Sequence, residues 1–469
     1  MSSIINTNVS SLIAQQSLQQ NNENLNTSLE RLSTGLRINS GKDDPAGLIA
    51  SLGLQQEQTG IQTAINNASL AGNVIGTAEG GLNEVSSLLT QLQGLVGQAA
   101  NTGGLSASEV SADQLQVDSI LSTINRISQS TSFDGTQLLN GSLAYTTSGV
   151  ASAVANLQVN SAIVPSGGTV AVAVQVVTSG KTAAITYQGG AVSGSTVTLQ
   201  VAGNLGSTQL SFASGSTVSQ IATAINGVKA TTGLSAQVSG TALRVNSTEY
   251  GSTQYASIQV IAGKLAQNFS TTKADGADAK VTINGAAAEV NGLAVSYRNA
   301  DLDVSLNIAG NFDKPTSSTF YITGGGANFQ LGAQVNETNV ASIGIGSVST
   351  GDLGDSFNGY LSSIGSGGSN SLSSNNLSTT QNILNSAITQ VSTLRGRLGA
   401  FQTFTIGSTV NSLGVAFENV SAAEASITDT DFAAETSNLT RDQILSQAAT
   451  TVLAQANAQP DNVLKLLGS

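Results

Sequence analysis

Few side chains in this 469-residue chain could carry chemistry, and those that could are carboxylates. Asp43 and Asp44 are adjacent, and Asp429 and Asp431 stand one residue apart. Such pairs could hold a divalent cation or work as general acid and base. Neither lies in a loop with EF-hand spacing, and adjacent acids of this kind read as solvated or helix-capping groups. The chain has no His and no Cys. That removes the commonest general base, the thiolate nucleophile, the usual transition-metal ligands and every disulfide. A Ser-His-Asp hydrolase and an HExxH metalloprotease are excluded. The glycine-rich stretches 94–104 and 324–326 lack the GK[ST] ending of a phosphate loop and read as turns. A non-enzyme without cofactor or metal is expected.

Composition narrows the partners. Asp and Glu number 28 against 16 Lys and Arg, a formal charge of −12, so nucleic acid is a poor partner. No run approaches the ~20 apolar residues of a membrane span. The opening MSSIINTN has neither the basic start nor the apolar core of a cleaved signal, so export without a cleaved signal peptide is expected. Charged residues are only 9% and aromatics 4%, against 39% hydrophobic, so any core is built from Ala, Val, Ile and Leu.

The elements that position these residues follow from spacing. Leu18, Leu25, Leu29, Leu32 and Leu36 recur at helical steps. The charged segment 37–45 interrupts them, with Asp43 or Asp44 capping a second helix that Pro45 opens. That helix carries Leu48, Leu52, Ile61, Ile65, Leu70, Val74 and Ile75. A third spans 106–130 with Val110, Leu115, Val117, Ile120, Leu121, Ile124 and Ile127, and turn signals at 133–135 and 140–141 close the region.

Residues 141–370 change period. Val170, Val172, Val174 and Val176 alternate with smaller residues, as do Val197/Leu199/Val201, Val281/Ile283 and Leu302/Val304/Leu306/Ile308. Gly-rich breaks, 324–326 among them, separate strands in two lobes. One short helix is predicted, capped by Ser216 and carrying Val218, Ile221, Ala222 and Ile225. A Ser/Gly/Asn-rich linker, 365–376, leads back to helix. There Ile383, Leu384, Ala387, Ile388, Val391 and Leu394 form one stripe, and Leu445, Ala449, Val452, Ala456, Val463 and Leu467 another. Pro460 is expected to bend or end that last helix.

A helix of about 35 residues is about 50 Å long and cannot bury its own stripe. Residues 1–36 and 435–469 are therefore expected to pair as a coiled coil. Their richness in Ala, Gln and Asn makes the isolated pair weak, so full order is expected only when copies pack together. Arg31, Arg37, Lys42, Asp43 and Asp44 concentrate charge here, either as a solvated capping loop or as intersubunit partners of Asp429, Asp431 or Glu435.

The run LSTGLRINSGKDDPAGL (residues 32–48) resembles bacterial flagellin. The likeness continues in TAEGGLNEV (77–85), QAAN (98–101), INRIS (124–128) and SFDGTQLLNG (132–141). LRGRLGAFQ (394–402), TDTDFAAE (428–435), LTRDQILSQA (439–448), VLAQAN (452–457) and NVLKLL (462–467) are similar to the family's other end. Residues 196–262 are similar to the hook IN motif, read as strands 197–201, 210–212, 236–238, 243–245 and 258–260 around the helix.

The resemblance implies an α+β fold: long terminal helices paired as a coiled coil (1–36 and 435–469), a helical-bundle body (37–140 and 371–434) and a β-rich insertion projecting outward (141–370). It implies a homopolymer forming a helical filament for motility, outside the cell. Its implied partners are the flagellar export apparatus, an export chaperone, and cap and hook-associated proteins, with no nucleic acid and no membrane insertion. Alternatives are a hook–filament junction protein and an adhesin housed in the outer lobes, whose Ser and Thr could also carry O-linked sugars. Many flagellins are bound by an animal Toll-like receptor through an Arg and a Glu; the matching positions here are Gln91 and Thr123, with a neighbouring Leu95 retained. Weak receptor activation is the expectation.

Overall fold

The computed structural model describes residues 7–467 except 102–103, 105, 166–167, 193–194, 266, 268, 300, 311–315, 356–357 and 375; of 461–467 it describes the helical backbone. Its helices are α1 (Val9–Thr34), α2 (Pro45–Ala99), α3 (Ala107–Ser130), α4 (Val218–Gly227), α5 (Lys229–Thr232), α6 (Leu377–Ala400), α7 (Ser408–Thr428) and α8 (Phe432–Leu467). Two compact units result. One takes residues 1–69, 331–335 and 407–469, the other 70–330 and 336–406.

In the first unit α1 and α8 run antiparallel. Local chemistry sets the ends of α1: Asn8 Oδ1 accepts from the Ser11 amide at 3.0 Å, and Gly35, at φ 77°, closes the helix on Arg31 O. The connectors beyond the pair bond to each other, Thr430 N to Gly35 O at 2.9 Å and Arg37 N to Thr428 O at 2.7 Å. Pro45 opens α2, and of the two adjacent acids it is Asp44 that caps it, accepting from Gly47 N at 2.9 Å. Gln58 of α2 donates to Ser421 of α7 at 2.8 Å. The expected end at Pro460 is not found: α8 continues through it to Leu467.

The second unit holds a helical body built from the later part of α2, α3 and α6. The buried face of α2 is Ala71, Ile75, Ala78, Leu82, Val85, Leu89, Leu92 and Val96, at alternating steps of four and three. Leu70, expected inside, is exposed, as is Leu115 of α3. The face of α3 is Gln114, Val117, Leu121, Ile124 and Ser128. After α3 a two-stranded hairpin (Ser132–Phe133 with Thr136–Gln137) turns through Asp134 and Gly135, both at positive φ (48° and 78°), the turn that matches strand twist. It sends Leu138 and Leu139 into the core. A π-helical segment, Phe401–Gly407, separates α6 from α7; nothing in the apolar spacing announced it.

The expected linker 365–376 is tied down, because polar groups of α3 satisfy its backbone. Gln114 bonds Ile364 O at 3.0 Å and Leu372 N at 2.8 Å, and Asp118 accepts from Ser366 N at 2.8 Å. Burial pushes the Asp118 carboxyl up, but bonds from Ser366 and Gln114 outweigh it and hold it below the usual carboxylate range.

Two antiparallel lobes complete this unit. In one, Val197–Gly203 pairs with Gly206–Phe212 and Tyr255–Ala262, and Ala242–Ser247 pairs with Leu234–Ser239 and Ala184–Tyr187. Both sheets and α4 share one core that includes Tyr187, Leu199, Ile221, Ile225 and Val245. The cap of α4 is Thr217 rather than Ser216. Thr217 and Gln220 form a reciprocal capping box, and Gln220 supplies the carbonyl that returns to the cap amide. In the other lobe Val170–Thr178 lies between Lys280–Ile283 and Thr316–Gly325, and Leu302–Ile308 between Ala294–Arg298 and Val154–Ala162. Val172, Val174 and Val176 point into its core with Val304, Leu306 and Phe320. Gly324 and Gly325 finish the long strand rather than interrupt it.

Two adjacent helical glycines give a clean test of the body. A Cβ on Gly80 would meet nothing within 4 Å, whereas one on Gly81 would sit 2.7 Å from Leu139 Cδ1 and 2.8 Å from Thr131 Oγ1. Gly80→Ala should stabilise by up to about 1 kcal/mol. Gly81→Ala should destabilise by about 1–3 kcal/mol, because buried Leu139 and the neighbouring Thr131 must move. Denaturant unfolding of both variants measures the contrast.

Candidate assembly interface

The paired chain ends are the part of the molecule whose surface is least complete. The inward positions of α1 are Ser11, Ala14, Leu18, Asn21, Leu25, Ser28 and Leu32; those of α8 are Glu435, Leu439, Asp442, Ser446, Ala449, Leu453 and Ala456. Each set steps by alternating threes and fours, the heptad spacing of a two-helix seam. Two side-chain hydrogen bonds cross the pair in this register: Ser11 Oγ to Asn457 Oδ1 at 2.6 Å and Ser446 Oγ to Asn22 Oδ1 at 2.9 Å. Arg31 lies 3.8 Å from Glu435. In that register Leu18 stands across from Ala449 and Leu453 across from Ala14, large against small.

The stripes expected from the sequence divide over two faces. Leu18, Leu25, Leu32, Ala449 and Ala456 lie on the seam. Leu29, Leu445 and Val452 do not; they are exposed, because only positions on the alternating three-and-four steps face the partner helix. Leu36 is exposed as well, and lies beyond the end of α1 in a bridge to Asp429. Val463 and Leu467 belong to α8, but their side chains lie outside the described residues. The exposed four are joined by Val9, Leu12, Ile13 and Ile444, so that Ile13 is 60% exposed, Ile444 61% and Val452 58%. Phe432 and, on α2, Ile49 and Leu52 add to the uncovered apolar surface of the same unit. This is a concentration of exposed apolar side chains rather than isolated surface leucines.

The charges beside the seam are engaged within the chain. Arg31 meets Glu435, which is buried, and Arg31 Nε is itself buried without a hydrogen-bond acceptor. Arg37 donates to Ile427 O at 2.6 Å. Asp43 Oδ2 accepts from Asn39 N, Ser40 N and Ser40 Oγ at 3.1, 2.8 and 3.0 Å. The Ser40 amide and hydroxyl, with smaller help from Asn39 and Arg31, hold its carboxyl below the usual range against a small opposing effect of burial. Asp44 serves α2. Asp431 caps α8 through Ala433 N and Ala434 N at 2.9 and 3.1 Å. No group of three or more potential metal-ligating side chains gathers among the described residues.

Of the receptor-like positions, Gln91 is exposed on α2, Leu95 half-buried, and Thr123 half-buried on α3 with its hydroxyl on Ser119 O at 2.9 Å. Spacing alone missed Asn8, Ser11, Asn22 and Asn457. A stripe search counts apolar residues, and these four are polar members of the same pair.

The Asp43 turn carries a pH signature. A carboxyl held below its unfolded value contributes stability that is present above the unfolded pKa and lost as pH falls through the lower folded one. Asp43→Asn should therefore loosen the 37–44 turn at pH 7 and make no difference once the solution is acid enough, well below the unperturbed value of 3.8, to protonate the native carboxyl. Amide exchange of that segment, compared between variant and parent at both pH values, reads the difference.

The family model for the bacterial flagellin N-terminal helical region matches residues 5–144, and that for the C-terminal helical region matches residues 381–467. The flagellin hook IN motif matches residues 196–249, in the first β lobe. Polar flagellin F of Vibrio parahaemolyticus is 28% identical over 476 residues, covering 100% of each chain. Flagellin D of Vibrio cholerae is 30% identical over 485 residues, covering 99% of each. Among solved structures, FliC from Burkholderia pseudomallei matches with a TM-score of 0.25 and 16% identity, over 71% of this chain and 99% of that one. Helical ends of one family, its inserted module between them and relatives alike from end to end agree: the chain belongs to the bacterial flagellins.

Proposed function

We propose that this chain is the structural subunit of a flagellar filament, assembled by covering the apolar face that the α1–α8 pair leaves in water. The observation that carries the proposal is that face itself: Val9, Leu12, Ile13, Leu29, Ile444, Leu445 and Val452 are all exposed on two helices already paired with each other. Each such side chain contributes about 1.5–3 kcal/mol when a neighbouring copy removes it fully from water. Repeated subunit by subunit, a contact between unlike faces of identical copies generates an open helical array. Catalysis has no part in this reading.

The filament lies outside the cell, and the chain reaches it through the flagellar export apparatus with an export chaperone, adding at the tip under a cap protein. Hook-associated proteins are its neighbours at the base. A chain without Cys cannot cross-link in transit, and four prolines leave few slow isomerisation steps on refolding. A junction role fits less well, since polar flagellin F and flagellin D match along their whole length.

Removing residues 1–36 or 435–469 should abolish filaments and leave the β lobes folded. Ile13→Asp or Val452→Asp should raise the protein concentration needed for seeded polymerisation at least tenfold while helix content is kept. Electron microscopy and sedimentation read both, and filaments from a truncated chain at the parent's concentration would refute the proposal.

The receptor-like surface supports a second outcome. Gln91 and Thr123 supply neither the guanidinium nor the carboxylate of the family's pattern, and truncating such groups at an interface centre costs about 2 kcal/mol or more. Purified monomer should signal weakly in cells bearing the receptor, and Gln91→Arg with Thr123→Glu should strengthen it. Parent signalling equal to that of a strong flagellin overturns this.

A further inference from the structure

An interior proline has no amide hydrogen, so it strands the carbonyl four residues before it. In α8 that proline is Pro460 and the stranded acceptor is the carbonyl of Ala456, a buried residue. Asn8 Nδ2, from the other end of the chain, donates to Ala456 O at 2.7 Å. The same Asn8 side chain uses its oxygen to cap α1 through Ser11 N, and Ser11 Oγ bonds Asn457, the residue after Ala456. One amide side chain thus starts α1 and supplies the hydrogen bond that the proline removes from α8.

We infer that Asn8 and Pro460 form a register lock: the freed carbonyl of Ala456 is the address to which the N-cap of α1 docks, fixing how the two terminal helices align. The seam cannot do this alone. Its leucines recur every seven residues at 18, 25 and 32, facing Ala449, Asp442 and Glu435. Sliding one helix by a heptad would again place leucines against small or polar groups, with little change in buried area. A freed backbone acceptor is different, because α8 has one interior proline and therefore one such carbonyl, one turn before it. Any slipped register leaves Ala456 O without a donor and the Asn8 amide without an acceptor. A lone polar contact that specifies alignment at some cost in helix stability is an established device in coiled coils. Here the cost is the proline itself, among the worst residues for a helix interior.

The test uses the full-length chain. It has no cysteine of its own, so two introduced thiols report one contact. Asn22→Cys with Ser446→Cys reports the observed register; Asn22→Cys with Leu439→Cys, or with Leu453→Cys, reports a slip of one heptad in either direction. The parent should cross-link through the first pair. Pro460→Ala returns an amide hydrogen to α8, so it should raise helix content by circular dichroism and yet lower the ratio of native to slipped cross-links about tenfold, the effect of leaving one buried polar group unmatched. Asn8→Ser keeps a good N-cap but loses the long amide donor, and should lower the ratio similarly. In the Pro460→Ala background Asn8→Ser should add nothing further.

An unchanged ratio in both single variants overturns the lock, as do effects that multiply when the two changes are combined, since independent contributions would then account for them. Failure of the parent to cross-link through 22 and 446 overturns it as well. The inference concerns pairing within one chain: a chain that cross-links as stated but never polymerises would sink the assembly proposal and leave the lock standing.

Discussion

The seam between α1 and α8 is poor in apolar surface, and the rest of the first unit follows from that. Its inward positions mix leucines with Ser11, Asn21, Ser28, Ser446, Asp442 and Glu435. Two such helices gain little by meeting and give up much backbone freedom to do so. The pair is held by directed polar contacts at its ends: Asn8 and Ser11 at one, Arg31, Glu435 and the Gly35–Thr430 connectors at the other. What apolar content these helices have is turned outward in good part. Ile13, Ile444 and Val452 stay in water, the surface on which the proposed assembly rests.

The helical body of the second unit is built on the opposite balance. There α2 presents an unbroken inward row of Ala, Ile, Leu and Val, joined by Val117, Leu121 and Ile124 of α3 and by Ile383, Leu384, Ala387, Val391 and Leu398 of α6. Small residues alternate with large along α2, which lets helices approach closely and makes individual glycines matter, Gly81 above all. Polar side chains of α3 then secure the 365–376 segment. The body thus carries an apolar core of its own, which the α1–α8 seam lacks.

Most of the architecture was legible in the sequence. Pro45 opens the second helix as expected, and the third runs over 107–130 against an expected 106–130, while the first stops at Gly35 rather than at 36. Period-two runs such as 170–176 and 302–308 became strands with those residues inward. What misled was size. Leu70, Leu115, Leu445 and Val452 drew the apolar stripe toward themselves, while Ala68, Ala71 and Ala78 hold buried positions that were not counted. Alanine carries little weight in a hydrophobicity pattern, yet it occupies the inside wherever helices pack tightly. The polar residues that tie distant segments together were invisible for a related reason. Asn8, Gln114 and Asp118 act on backbone groups that are hundreds of residues away in sequence or, as with Ala456 O, orphaned by a proline.

Pro460 shows how local and global requirements diverge. Judged by propensity it should end α8, and a strand-and-helix reading of the sequence says so. In the folded chain the helix passes through it because the one acceptor it orphans has a donor waiting on α1. Such a donor exists only in the assembled pair, so the segment beyond residue 456 is a weak helix on its own and a better one once α1 is seated. Order at the two termini is thus mutual: neither helix end is fully satisfied until the other arrives. A pair built that way can remain open before assembly and still close in one alignment.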